Sequence, residues 1–241
     1  MTAERPSSPA PGSIRELLEM AVPLIISSGS LSLMYVCDRM FLTWHSQAEL
    51  AAALPAGITY WTFLSVFYGT CTYLNSFVGQ YEGAGRPERV AAAVWQGVWL
   101  ALGAGLLLMA LVPVAGPMFL AVGHKPEVAE LEAAYFQISC LGSPANLLAT
   151  VLSCFYSGRG RTRVIMWVNV AGSLLNILLD YLLIFGVGGF PELGIRGAAI
   201  GTVLAQFAMS LMYVGMIVTS PRREPTNSAR PAAGSATCSA G

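Results

Sequence analysis

Residues 169–180 read Asn-Val-Ala-Gly-Ser-Leu-Leu-Asn-Ile-Leu-Leu-Asp, an apolar stretch that carries polar side chains at helical spacing. On a helix these polar positions share one face; they are Asn169, Ser173, Asn176 and Asp180. Asp180 is one of only two aspartates in the chain, and the other, Asp38, also lies in an apolar segment. A carboxylate is costly in hydrocarbon, so this placement is typical of an ion or proton pathway.

The composition of the whole chain is that of a membrane protein. Of its 241 residues, 55% are hydrophobic and 11% are charged, and the mean hydropathy is +0.61, whereas soluble domains carry about 25% charged residues. Apolar stretches of about 20 residues recur along the sequence and favour helices over a β-barrel. The formal net charge is zero, which gives no indication of a nucleic-acid partner.

The hydrophobic pattern predicts an all-α polytopic membrane protein with six spanning helices. The predicted segments are 17–42, 50–80, 90–115, 128–157, 164–186 and 194–219. Threading them leaves ten arginines on the side of the N-terminus, and only Lys125 and Arg196 on the other side. This positive-inside bias predicts a multi-pass protein of the cell membrane, either inner or plasma membrane, with both termini in the cytoplasm.

The two ends of the chain differ from this transmembrane unit. Residues 1–13 form a polar leader without the cleavage pattern of a signal peptide, so the first helix is expected to act as its own insertion signal. Residues 220–241 are rich in Pro, Ser, Ala, Gly and Arg. Both ends are predicted to be disordered, which leaves 14–219 as a six-helix lobe.

No motif in the sequence indicates an enzyme. The five cysteines form no CxxC pair, and the two histidines have no metal-ligand spacing. No arrangement of a nucleophile with a base is evident. We therefore expect a non-enzymatic protein without a cofactor, apart from an ion that the polar residues would bind.

The polar face of residues 169–180 is expected to meet Asp38 and Thr202 in one layer of the helix bundle. Counting helical rise from the predicted outer ends puts these side chains roughly 8 to 15 Å below the outer surface. Two carboxylates that are close in a low dielectric would share a proton or bind a cation between them. Asp38 and Asp180 would thus hold a monovalent ion such as Na⁺, with Asn176 and Thr202 completing its oxygen shell. Structural polar packing is the alternative.

Three features of the neighbouring segments bear on this site. Arg39 is not expected to pair with Asp38, because consecutive helical side chains diverge by about 100°. Pro23 removes a backbone hydrogen bond and predicts a hinge in the first helix, although proline is also common in membrane helices generally. The spacing Gly197-x-x-x-Gly201 could allow a close approach of two helices.

Several motifs of this sequence together resemble one transporter family. They are Glu-Leu-Leu-Glu-Met-Ala-Val-Pro-Leu-Ile from Glu16, Leu50-Ala51-Ala52, Gln-Tyr-Glu-Gly-Ala-Gly from Gln80, Asn-Ile-Leu-Leu-Asp-Tyr-Leu-Leu-Ile-Phe-Gly from Asn176, and Gly-Phe-Pro-Glu-Leu-Gly-Ile-Arg-Gly-Ala-Ala-Ile-Gly-Thr from Gly189. In these motifs the chain resembles the multidrug and toxic compound extrusion (MATE) transporters, from about residue 14 to residue 219.

The resemblance implies a fold, a function and a set of site residues. A MATE transporter has two six-helix lobes around a central cavity, and it exports small cationic or amphipathic compounds in exchange for Na⁺ or H⁺. By this resemblance Asp38, Asn176, Asp180 and Thr202 would form the cation or proton site of the amino-terminal lobe. Pro23 would be the point at which the first helix bends.

The length of the chain leaves alternatives open. The six predicted helices account for only one of the two lobes that the resemblance implies, so transport is expected to need a second lobe or a second copy of the chain in the lipid membrane. The alternative is a truncated fragment or subunit that transports nothing alone. A lipid flippase of the same broad class of exporters is a further alternative.

Overall fold

The computed structural model of the chain describes residues 14–219, and all regular secondary structure in this range is helical. The helices are α1 (Ile14–His45), α2 (Gln47–Thr72), α3 (Leu74–Gly83), α4 (Pro87–Met109), α5 (Ala115–Ala121), α6 (Pro126–Leu141), α7 (Ser143–Ser157), α8 (Thr162–Phe185) and α9 (Ile195–Thr219), with short 3₁₀ turns at Val112–Val114 and Val187–Gly189. The leader 1–13 and the tail 220–241 lie outside the described residues, so their predicted disorder stays a prediction.

Helices long and apolar enough to cross a membrane account for most of the described chain. They are Leu17–His45, Gln47–Gly83, Pro87–Ala121, Thr162–Phe185 and Ile195–Thr219, and α6 and α7 together make a sixth if they are taken as one bent span. Each corresponds to one predicted segment. The prediction of an all-α multi-pass membrane protein is confirmed.

The fourth segment is bent, which the hydrophobic pattern did not predict. Helices α6 and α7 meet at Gly142 with an angle of 46°. Pro144 lies in the first turn of α7 and has no N–H to donate to the carbonyl of Cys140, so the helix loses a backbone hydrogen bond there, which favours a bend. The first helix behaves differently, because α1 runs unbroken through the buried Pro23. The hinge there stays a prediction.

The bundle is assembled around α8 and α9. Helix α8 packs along α1 on one side and along α9 on the other, while α2 packs against α6 and α4 against α7. A cluster of buried apolar residues joins the ends of α1, α8 and α9; it includes Leu42, Ile184 and Ala198. This packing brings the polar face of α8 to the junction of three helices.

The outside of the bundle is also apolar. Large hydrophobic side chains are exposed on α4 and α8, among them Trp99, which is 69% exposed, and Leu174, which is 62% exposed. A soluble protein rarely exposes so continuous an apolar surface. Facing lipid, these side chains need no protein partner.

Candidate cation site

The polar face of α8 is directed into the bundle and lies at the junction of α1, α8 and α9. Asn176 and Asp180 are fully buried, with 0% of their surface exposed. The Asn176 side-chain amide donates hydrogen bonds to Asp180 Oδ1 at 3.3 Å and to Thr202 Oγ1 on α9 at 3.4 Å. Three of the four predicted site residues therefore form one hydrogen-bonded group.

Asp38 reaches the same junction from α1. Its surface is 4% exposed, and its carboxyl group lies near enough to Asp180 for the two groups to interact electrostatically. No hydrogen bond joins Asp38 Oδ1 to any described residue. Asp38 therefore belongs to the group by proximity, as a second buried carboxylate.

The expectation that Arg39 would stay away from Asp38 is wrong. Arg39 Nε lies 3.9 Å from Asp38 Oδ2, within ion-pair range. The two side chains leave the helix in divergent directions, but the arginine stem is long enough to fold back along the helix surface. The distance exceeds that of a hydrogen bond. The guanidinium therefore compensates the charge of Asp38 electrostatically, but its Nε does not donate a hydrogen bond to the carboxylate.

Three buried oxygens at this junction have no hydrogen-bond partner among the described residues: Asp38 Oδ1, Asn176 Oδ1 and Asp180 Oδ2. A buried acceptor without a partner is costly, and carboxylate and amide oxygens are preferred ligands of hard cations. These oxygens could thus serve as ligands of a cation, or one of the carboxyl groups could hold a proton. None of the described residues donates a hydrogen bond to these three oxygens.

The side chains at this junction are not those of a transition-metal site. Within residues 14–219, no group of three or more His, Cys, Asp and Glu side chains is arranged to hold a metal ion. The junction has two carboxylates, and its remaining oxygens are the neutral ones of Asn176 and Thr202. Such a set fits a monovalent cation better than zinc.

Three residues at the junction were not identified as site residues from the sequence. Gly201 on α9 lies so close to α8 that a Cβ atom there would overlap Asp180 Oδ1, and Gly197 touches the α8 backbone in the same way. The spacing of these glycines did indicate a close approach, but not its partner. Tyr135 of α6, 9% exposed, lies in electrostatic range of Asp38 and Asp180, and nothing in its sequence context signals this.

The N-terminal end of the polar face of α8 is hydrogen-bonded to α1. The Asn169 side-chain amide donates a hydrogen bond of 2.6 Å to Ser27 Oγ on α1, four residues after Pro23. Ser30 Oγ in turn donates to the Ser27 carbonyl oxygen at 2.8 Å. This end of the polar face therefore fastens α8 to the segment of α1 in which the hinge is predicted.

Comparison with known proteins agrees with this architecture. The family model described as MatE matches residues 23–182. The "Probable multidrug resistance protein NorM" of Rhizobium meliloti (strain 1021) is 32% identical over 215 residues, which cover 89% of this chain and 45% of that protein. The protein of the same description from Thermotoga maritima is 30% identical over 212 residues, covering 87% and 46%.

A solved structure has the same fold. A MOP superfamily transporter from Pyrococcus furiosus superposes with a TM-score of 0.77 at 22% identity, over 84% of this chain and 44% of that chain. The chain spans about half the length of the curated relatives it matches. Because the family model covers most of the described residues, the chain belongs to the MatE family of multi-pass membrane transporters.

Proposed function

We propose that this chain is the amino-terminal lobe of a cation- or proton-coupled multidrug efflux antiporter. The relatives described as multidrug resistance proteins support the class of transporter. The observation that carries the coupling is the set of three unpartnered oxygens, which Asp38, Asn176 and Asp180 bury at one helix junction.

The proposed mechanism uses the helices that meet there. A Na⁺ ion or a proton binds between Asp38 and Asp180, with the oxygens of Asn176 and Thr202 as further ligands. The bound positive charge removes the repulsion between the two carboxyl groups and so changes how α1 packs on α8, and Pro23 gives α1 a point at which to bend. The ion can drive this change only if it binds one conformation more tightly than the other.

Ion binding can be tested on this chain alone. Thermal unfolding of the purified protein would be followed at constant ionic strength in Na⁺ and in choline, and across a range of pH. A ligand present at about 100 times its dissociation constant stabilises the folded state by about 2.7 kcal/mol. Asp38→Asn and Asp180→Asn should abolish the response to Na⁺ or to protons.

A matched control comes from another buried carboxylate. Glu132 on α6 is 0% exposed; its Oε2 lies 2.8 Å from His124 Nδ1, and its Oε1 has no hydrogen-bond partner among the described residues. It is therefore a buried carboxylate with one unpartnered oxygen, like those of the cation site, but it has no second carboxylate proposed as a ligand beside it. Glu132→Gln should leave the ion response intact. If the two Asp variants respond as the unsubstituted chain does, the proposed site is refuted.

Export itself would be measured in cells that supply both lobes. Asp38→Asn or Asp180→Asn should reduce drug efflux and its dependence on the ion gradient, and unchanged efflux would contradict the proposal. Because the chain spans about half the length of its relatives, a second candidate is a subunit that transports nothing without a partner lobe. Efflux by the reconstituted chain alone would refute that alternative.

A further inference from the structure

A groove of about 540 Å³ lies between α4 and the segment formed by the end of α2 and by α3, and none of the proposed cation ligands lines it. Helix α4 contributes small residues here, namely Ala92, Ala93 and Gly97, so the space beside this face of α4 is left open. The volume is in the range of small-molecule sites. The groove is therefore large enough for a ligand and separate from the cation site.

The wall opposite α4 is aromatic. Tyr73, Phe77 and Tyr81 follow one another at every fourth residue, so their rings form one stripe along α3. The ring centroids of Tyr73 and Phe77 are 5.4 Å apart, and those of Phe77 and Tyr81 are 6.4 Å apart. Tyr73 is 64% exposed and Phe77 is 42% exposed, so the stripe is open to the lipid that surrounds the bundle.

The groove changes from polar to apolar along its length. Arg89 lies at one end, in the first turn of α4, and Leu100 lies further along the same helix at the other end. The helical rise puts these two residues roughly 16 Å apart along the axis, and one leaflet of the hydrocarbon core is about 15 Å thick. The positive-inside bias places the Arg89 end at the cytoplasmic surface. The groove therefore reaches from the cytoplasmic headgroups to about the middle of the bilayer.

Two side chains in the groove carry hydrogen-bonding groups that no described residue uses. Arg89 is the only charged residue among the described residues that line the groove; it is exposed, and no ion pair joins it to a described side chain. Gln96 lies two turns deeper on α4, is also exposed, and has no side-chain hydrogen bond to a described residue. An amide that faces lipid without a partner is costly. A ligand with a phosphate at the level of Arg89 and an ester carbonyl at the level of Gln96 would supply both partners.

We propose that this groove binds one anionic phospholipid of the cytoplasmic leaflet, with its phosphate on Arg89, a glycerol ester on Gln96 and one acyl chain in the apolar part toward Leu100. Basic pockets between transmembrane helices on the cytoplasmic side are typical sites for anionic headgroups, and a guanidinium can bind a phosphate through two parallel hydrogen bonds. The apolar length of the groove would have no role in binding a free phosphate ion. The inference goes beyond the proposed transport function and does not depend on the cation site.

The test counts the lipids bound to the full chain by native mass spectrometry in a neutral detergent. The chain would be titrated with dioleoyl phosphatidylglycerol and with dioleoyl phosphatidylcholine, which have the same acyl chains, but in the second the choline compensates the phosphate charge. A hydrogen bond to a charged group corresponds to roughly 10- to 100-fold in affinity. We expect one phosphatidylglycerol to bind more tightly than phosphatidylcholine by about this factor, and equal affinities would overturn the inference.

Substitutions then assign the preference to one side chain. Arg89→Gln should remove the preference for phosphatidylglycerol, and Arg89→Lys should keep only part of it. Arg163→Gln is the matched control, since Arg163 is also exposed in the first turn of a helix on the cytoplasmic side but does not line the groove. A surface arginine attracts anionic lipid by only about fivefold, so this control should lose no more than that. An equal loss in both Gln variants would show a diffuse effect of charge and would overturn the inference.

A third variant separates a whole lipid from other occupants. Ala92 is exposed in the groove, so Ala92→Phe should keep the fold, which the unfolding midpoint without lipid checks, and should block the acyl chain. We expect it to abolish the saturable binding of phosphatidylglycerol. If it does not, or if sn-glycerol 3-phosphate displaces the lipid at equal concentration, the site takes a phosphate group alone and the lipid assignment is overturned. A dimer in the same spectra that Ala92→Phe dissociates would assign the groove to a second copy of the chain and would overturn it as well.

Discussion

Gly201→Ala should disturb the cation site more than it disturbs the fold. A Cβ atom at position 201 would overlap Asp180 Oδ1 and lie 3.3 Å from the Asp180 Cγ and backbone N. The carboxyl group can rotate away, but it then loses its hydrogen bond from Asn176. Overpacking costs about 1–3 kcal/mol, and alanine is favoured over glycine in a helix by about 1 kcal/mol. The difference is roughly 0 to 2 kcal/mol of destabilisation.

Two other glycines of α9 give matched comparisons. At Gly197 the added Cβ would lie 2.7 Å from the Leu183 backbone, whereas ordinary contacts begin at 3.4 Å, so the helices must separate by the difference of 0.7 Å. Backbone atoms cannot rotate away, and Gly197→Ala should therefore be the most destabilising of the three. Gly215 has no atom within 4 Å of its added Cβ, and Gly215→Ala should be neutral or slightly stabilising.

The assay is thermal unfolding of the purified chain in Na⁺ and in choline, over a range of pH. We expect Gly201→Ala to lose most of the ion-dependent stabilisation while keeping most of the stability measured in choline. Gly215→Ala should keep both. If Gly201→Ala matches Gly215→Ala in stability and in ion response, the close approach of α9 to Asp180 is not part of the site.

Three further contacts outside the cation site lead to measurable effects on unfolding. His45 Nε2 lies 2.8 Å from Glu192 Oε1, and His45 Nδ1 lies 2.7 Å from Glu49 Oε2. The ring can donate both hydrogen bonds at once only when it is protonated. Histidine ordinarily titrates near pH 6.5. Glu192→Gln should therefore lower the free energy of unfolding by up to about 1 kcal/mol at acidic pH and by little above pH 8. A loss of stability that does not become smaller as the pH rises would contradict this. His124→Ala leaves Glu132 buried without its 2.8 Å partner, so it should destabilise the protein by about 3 kcal/mol and by more than Glu132→Gln; an equal loss would count against a buried pair. Asn169→Ala removes the 2.6 Å bond to α1 and should cost about 0.6–1.7 kcal/mol, and an unchanged unfolding midpoint would show that this bond does not fasten the two helices.

The sequence was sufficient to predict the helices and the polar face of α8, for a physical reason. In lipid a polar side chain must face the protein interior, so the spacing of Asn176 and Asp180 determines which side of α8 is buried. The glycine spacing on α9 indicated a close helix contact for a similar reason, because only small residues allow it. These predictions depend on local spacing along one helix.

The features that the sequence did not predict have three different causes. The bend at Gly142 follows from Pro144, but hydropathy records length and not direction. The position of Arg39 was predicted wrongly, because the argument used the direction in which its side chain leaves the helix and not the reach of its stem. Tyr135 enters the site from α6, and only the assembled bundle brings that helix beside Asp38.

Arg39 bears on the proposed cation site through its charge, because its Nε lies 3.9 Å from Asp38 Oδ2. A cation bound at Asp38 is repelled by the guanidinium, so Arg39 should weaken ion binding at the site. Under the proposed function, ion binding can drive export only if it changes the conformation of this lobe. Helix α1 carries both Asp38 and Arg39 and runs unbroken with Pro23 buried against the bundle, so it is the element through which a bound ion would act on the rest of the lobe.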